Sequence, residues 1–358
     1  MDIVIYGAQA MAYGVYKALK CLHPDKNIEC FLVTNLKGNE SNIDGIPVME
    51  LQSFAGKKTK EEKKNLLILI STPENVMDEI EENLECEKIC NHVRIDSDRW
   101  ADLMRNFYAR KGRIQLLSSY PVGYHKGKLL IYKMVHHKDK VLRTKIKDPE
   151  YLHSLQVGAY SGEKCIAEYQ DYTGSTISEK NGNYSELTGL YWIWRNQIQQ
   201  TNDENYYGIA HYRRRLQFTD DDVMRLKDND IDVVLPYPMP YFPDIEEHHK
   251  RYLSEGEWNA VRKALNELQP EYAREFEKVL KQEYLYNYNI VVAKREVLDA
   301  YCEWLFPLLF RIEEINDPKG EKIPNRYIGY IGETLETLYF MCNGEKLRIA
   351  HTECKFIP

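Results

Sequence analysis

The densest chemistry in the chain is YYGIAHYRRRLQF, Tyr206 to Phe218, where an apolar strand pattern runs into His211, Tyr212, Arg213, Arg214 and Arg215. A guanidinium presents a planar fork of donors that matches phosphate oxygens two at a time. Cations at the carboxyl end of a buried strand stand where open α/β sheets hold their ligands. The whole chain carries a net charge of -7, so the block serves something local and general nucleic-acid binding is not expected. Pairing with the acidic run Asp220 to Asp222 is the plainer account of these arginines; a diphosphate ligand is the account favoured here. Strand alternation groups Arg213 and Arg215 with His211, and Arg214 with Tyr212, unless the strand has already ended. The pattern does not choose between these sets.

Where a hydroxyl is the nucleophile, a carboxylate must take its proton. Glu333, in GYIGETL, follows Gly329 and Gly332, which permit close approach of a substrate. The competing reading is a first-turn glutamate favoured by the helix dipole, which would lower its pKa. Asp244, Glu246 and His248 in YFPDIEEHHKRY are rival bases on what reads as an acceptor-side loop. His248 and His249 are adjacent and share no helix face, so no metal site is read from them. Tyr191, Trp192 and Trp194, followed by Arg195 and Asn196, would stack a base or a sugar, or form a core-facing stripe. Asn287 and Asn289 in YNYNIVV would bond sugar hydroxyls or form a turn.

These residues need a scaffold, and 358 residues with 43% hydrophobic content predict a folded chain of about two domains. No apolar run approaches the roughly 18 residues of a membrane span. The start, MDIVIYG, enters a strand pattern directly, so no secretory leader is expected. Eight cysteines without a C-x-x-C pair suit reduced thiols and a cytoplasmic setting.

Residues 1–105 alternate strand and helix (DIVIYG, AMAYGVYKALKCL, IECFLVT, LLILIST, PENVMDEIEENL, HVRID), which predicts a Rossmann-like parallel sheet domain. Its turn GAQAMAYG places Gly7, Gln9 and Ala12 at the dinucleotide fingerprint positions, and Thr34 and Asn35 where an acidic residue would bind ribose. NAD is therefore not expected. Residues 106–128 read as a basic linker. From Leu103 to Lys147 twelve Lys or Arg, Lys145 among them, face only Asp139. That is either a solvated connector or a patch for anionic lipid head groups, where each cation is worth about 1 kcal/mol. Residues 129–358 read as an α/β domain with long connections, as expected where active-site loops sit above a sheet.

Five segments stand in order across about residues 129 to 345: SELTGLYWIWRN, YYGIAHYRRRL, DIDVVLP, YNYNIVVAKREVLDAYCEWLFPLLFRIE and RYIGYIGETLETLYF. Together they resemble the bacterial capsular-polysaccharide and O-antigen synthesis proteins built on a GT-A-like glycosyltransferase domain. The first domain is similar to the small Rossmann-like domain that precedes the catalytic part of some bacterial sugar acyltransferases.

The resemblance implies a UDP-sugar donor, with galactofuranose or another hexose transferred to a polysaccharide or lipid-linked acceptor. Cysteine usage and the basic stretch add the expectation of a cytoplasmic enzyme in peripheral contact with the inner membrane face. Many GT-A enzymes hold a divalent metal with a D-x-D pair after the corresponding strand; this chain has HYRRR there. The expectation is thus that Arg213, Arg214 and His211 replace the metal and no cofactor is needed, with Mn²⁺ or Mg²⁺ as the alternative. Gln156 and Gly158 in LQVGAY would border the nucleobase, and Tyr212, Arg215, Arg195, Asn287, Asn289 and Gly332 complete the donor-binding candidates. The rival readings are a nucleotide-sugar oxidoreductase or epimerase using the first domain, and a non-enzymatic nucleotide-sugar-binding module.

Overall fold

The computed structural model describes residues 2–143, 146–162, 164–320 and 323–357, and the chain forms two compact units. In the first, the apolar runs build a six-stranded sheet in the spatial order Asn42–Ile43, Ile46–Glu50, Ile28–Val33, Asp2–Tyr6, Leu66–Ile70, His92–Arg94. Every pairing is parallel except the short hairpin between the first two strands. The central strands are apolar on both faces because both are covered. Ile3, Ile5, Phe31 and Val33 pack with Tyr13 and Tyr16 on one side. Val4, Tyr6, Leu32 and Ile70 pack with Phe54 and Ile80 on the other.

The glycines of GAQAMAYG have packing reasons of their own. Gly7 has φ 126°, and a Cβ there would lie 2.6 Å from the Ser71 carbonyl. At Gly14 it would lie 2.3 Å from the Trp100 ring. Thr34 bonds the Tyr6 hydroxyl at 2.9 Å, and the Asn35 side chain accepts from the Lys37 amide at 2.7 Å.

The unit differs in extent from the sequence reading. The helix Ser97–Lys111 runs through residue 105, capped by Asp96 and closed by Gly112 at φ 63°, so the unit continues to Ile114. Met239–His248 joins it from far along the chain, setting the Phe242 ring 5.5 Å from Tyr13.

The second unit, Gln115–Pro238 with His249–Ile357, holds a seven-stranded mixed sheet. Its order is Ile349–Thr352, Val233–Pro236, Val292–Lys294, Tyr206–His211, Leu129–Val135, Leu152–Gln156, Tyr169–Gln170. Val292–Lys294 is antiparallel to both neighbours, and the other pairings are parallel. The strands ending at Val135, Gln156 and His211 therefore open on one edge of the sheet.

Helices Leu187–Asn196, Arg295–Asn316 and Tyr327–Cys342 supply much of the covering layer. The aromatic helix is core: Trp194 stacks on Phe306 at 5.4 Å and donates to Asp299, while Trp192 donates to the Thr173 carbonyl at 2.9 Å. In the basic stretch, Arg105 pairs with Asp102, Lys126 with Asp220 and Lys133 with Asp148. Lys145 lies outside the described residues.

Candidate functional site

The strand Tyr206–His211 does end before the arginine block. Tyr212 and Arg213 bend, and Arg214–Leu216 begins a short strand antiparallel to Cys354–Phe356, with Arg214 opposite Phe356. The break sends the three arginines different ways. Arg215 is 3% exposed and donates to Asp148 Oδ1 at 2.6 Å. Arg213 lies 5.6 Å from the Tyr212 ring and 5.4 Å from Phe356. Arg214 sits 4.4 Å over the Tyr288 ring and 5.1 Å from Phe356, with no ion-pair partner among the described residues. Aromatic faces hold this cation without neutralising it. Downstream, Asp220 pairs with Lys126 and Asp222 with Arg225, so neither takes an arginine of the block.

Arg215 is thus tied into the fold. Arg215→Ala leaves Asp148 its contact to Lys133 and removes one buried charged hydrogen bond, so a loss of about 1–3 kcal/mol is expected. Urea unfolding checks this: the midpoint should fall with little change in slope.

Glu333 lies nearly two turns into the helix Tyr327–Cys342, beyond the first turn where a helix dipole acts. Its Oε1 accepts from the Tyr288 amide at 2.9 Å. Burial, and then the neighbouring Glu186, push its carboxyl up to about 8 against the opposing pull of that amide, Arg326 and Arg214. Glu186 Oε1 accepts from Asn289 Nδ2 at 2.7 Å and stands 4.0 Å from His211 Nε2. His211 donates from Nε2 to the Tyr288 carbonyl at 2.7 Å, and burial lowers its pKa, keeping the ring neutral.

One dipeptide organises this cluster. Tyr288 and Asn289 have φ 74° and 50°, a left-handed conformation costing of order 1–3 kcal/mol per residue. It lets the Tyr288 main-chain amide reach Glu333, its carbonyl reach His211, and the Asn289 side-chain amide reach Glu186. Gly332 makes room: a Cβ there would lie 2.7 Å from Asn289 Oδ1. One turn past Glu333, Glu336 is fully buried with neither oxygen hydrogen-bonded. Burial holds that acid protonated well above the usual range.

The neighbouring strand ends carry more polar groups. Gly158, at φ 66°, and Ala159 donate their amides to the buried Asp171 at 2.9 and 3.0 Å. Ser178 and Thr188 donate hydroxyls to the same carboxylate, which fixes the loop. Gln156 is buried and accepts from the Ile166 amide at 3.0 Å. After Val135, His136 and His137 stack at 4.2 Å, and Asp139, its pKa raised by burial, is within electrostatic reach of His211 and Arg213.

Arg195 lies 5.2 Å over Trp194, and Asn287 is buried. Asp244, Glu246 and His248 belong to the first unit, where Asp244 caps the Glu247 amide at 2.8 Å. Among the described residues no three His, Cys, Asp or Glu converge to hold a metal. Sequence reasoning missed Glu186, Tyr288, Arg326 and Glu336. The available signal was Glu333 and Glu336 at i, i+3 in an otherwise apolar helix.

The second unit is a mixed-sheet α/β domain, following a Rossmann-like parallel sheet. Residues 130–344 match the family described as domain of unknown function DUF4422, and the chain belongs to that family. Among solved structures it is similar to the apo form of the bifunctional glycosyltransferase WbbM, with a TM-score of 0.54 and 24% identity. The match covers 64% of this chain and 45% of that one, so the likeness spans less than half of WbbM. No curated protein sequence matches the chain.

Proposed function

We propose that the second unit transfers a sugar from a nucleoside-diphosphate donor to a hydroxyl acceptor. The observation that carries this reading is an ion-pair-free Arg214 in the same electrostatic cluster as Glu333, a carboxyl raised to about 8. In the reaction the acceptor oxygen bonds to the anomeric carbon as the bond to the diphosphate breaks. Arg214, helped by Arg213, takes the charge that develops on the leaving group. Glu333 accepts the proton of the acceptor hydroxyl, and a base of that pKa is matched to neutral or mildly alkaline conditions. Neutral His211 is fixed by the Tyr288 carbonyl, with its other ring nitrogen facing away from that bond.

The loops carrying Gln156, Gly158 and His136 are the natural place for the nucleobase and ribose, which the family resemblance reads as UDP. The same resemblance supports galactofuranose or another hexose as the sugar, and a surface-polysaccharide acceptor on a lipid carrier. The basic stretch after Leu103 would meet anionic lipid. Resident metal is not required on this reading, because the guanidinium groups supply the positive charge.

The test is UDP release from a panel of UDP-sugars in excess EDTA, with and without added Mn²⁺. Release that survives EDTA, from one preferred sugar, is the expected result. Release that needs Mn²⁺ would overturn the arginine-for-metal part. Absence of release from every sugar, with UDP itself not binding, would overturn the transferase reading.

A further inference from the structure

Tyr252 leaves 42% of its surface exposed. It is not a loose loop residue. Its ring stacks on Tyr330 at 4.5 Å with planes 20° apart. Its amide donates to the His249 carbonyl at 2.8 Å, as does that of Leu253. His249 is itself buried, stacked on Trp258 at 5.7 Å and hydrogen-bonded to Thr334 at 3.2 Å. Thr334 directly follows Glu333. The exposed ring is therefore bolted through His249 to the helix that carries the base, and through Tyr330 to the same helix one turn earlier.

Tyr330 and Glu333 are three residues apart and so lie on one helix face. The Tyr330 hydroxyl is within electrostatic reach of Arg326, Glu333 and Glu186. A flat, rigidly mounted aromatic surface beside a proton acceptor is suited to one occupant above others. The C–H face of a pyranose ring is apolar and packs on aromatic rings, while its hydroxyls point sideways to polar partners such as Glu186 and Arg326. A charged or purely apolar ligand would use only half of that arrangement.

We infer that Tyr252 and Tyr330 form the acceptor subsite, a stacking platform for the terminal sugar ring whose hydroxyl is presented to Glu333. This rests on the transferase reading and adds the position and the chemical class of the acceptor. It also separates the two halves of the reaction: the arginine side handles the donor and the tyrosine side handles the acceptor.

The experiment uses the full chain and a set of octyl glycosides bearing terminal galactose, glucose, mannose or rhamnose. Saturation-transfer NMR reads their binding, and UDP release from the preferred donor without acceptor reads the donor side independently. At least one glycoside should bind the wild type. Tyr252→Ala should weaken that binding by about 5-fold or more, in line with a stacking contact, while acceptor-free UDP release stays within about twofold. Tyr252→Phe should bind as the wild type does, because the platform needs the ring and not the hydroxyl. If no glycoside binds the wild type, or if binding survives Tyr252→Ala, the platform is not an acceptor subsite, even where UDP release confirms the donor side. If Tyr252→Ala also abolishes UDP release in a folded protein, the residue serves the donor and the assignment is overturned.

Discussion

Glu333→Gln is expected to lower sugar transfer by about 10²–10⁴-fold, the usual contribution of a positioned general base. The amide keeps an oxygen to accept from the Tyr288 N–H, so the local hydrogen bond survives while the basicity is lost. The pH dependence supplies an independent check. With the carboxyl raised to about 8, wild-type kcat/KM should climb as pH rises towards that value, and the variant should lose this limb.

Stability should move the opposite way. The folded state holds a proton on Glu333 that the unfolded chain has released, so its contribution falls as pH rises from about 4.5 through 8. Glu333→Gln removes that penalty and should be the more stable protein at pH 9. A variant that transfers at the wild-type rate would remove Glu333 from the chemistry.

Arg214→Ala carries the second large expectation, a fall in kcat of about 10²–10³-fold, as for loss of one preorganised donor to a developing anion. On the proposed reading UDP affinity should drop as well, since the same cation would meet the ground-state diphosphate. Arg214→Lys is the sharper comparison. It keeps the charge but gives up the planar fork and the flat contact to Tyr288 and Phe356, so only part of the rate should return. A rate unchanged in Arg214→Ala, or fully restored by Mn²⁺, would assign the diphosphate to other groups.

The architecture was legible because apolar runs such as DIVIYG, LLILIST and YYGIAHY carry their periodicity openly, and helices such as LYWIWRN follow at regular intervals. The site was harder. Alternation along the strand could not sort the arginines, since the backbone bends at Tyr212 and Arg213 before a new strand starts at Arg214. Glu186 and Arg326 sit at helix starts, where a sequence shows only a boundary. Tyr288 enters the cluster by its main chain, through a left-handed conformation that no residue preference announces for a tyrosine. Glu333 could be found from its helix, but its setting could not. The raised pKa comes first from burial and then from Glu186, over a hundred positions away.

The discontinuity of the first unit bears on how the chain is made. Its strands and helices to Ile114 emerge early, yet Phe242, which packs against Tyr13, follows only after more than a hundred further residues. During synthesis that patch around Tyr13 stays uncovered until Met239–His248 has left the ribosome. Translation must therefore deliver much of the second unit's sheet before the first is finished, and a fragment released at residue 114 would carry an open apolar seam.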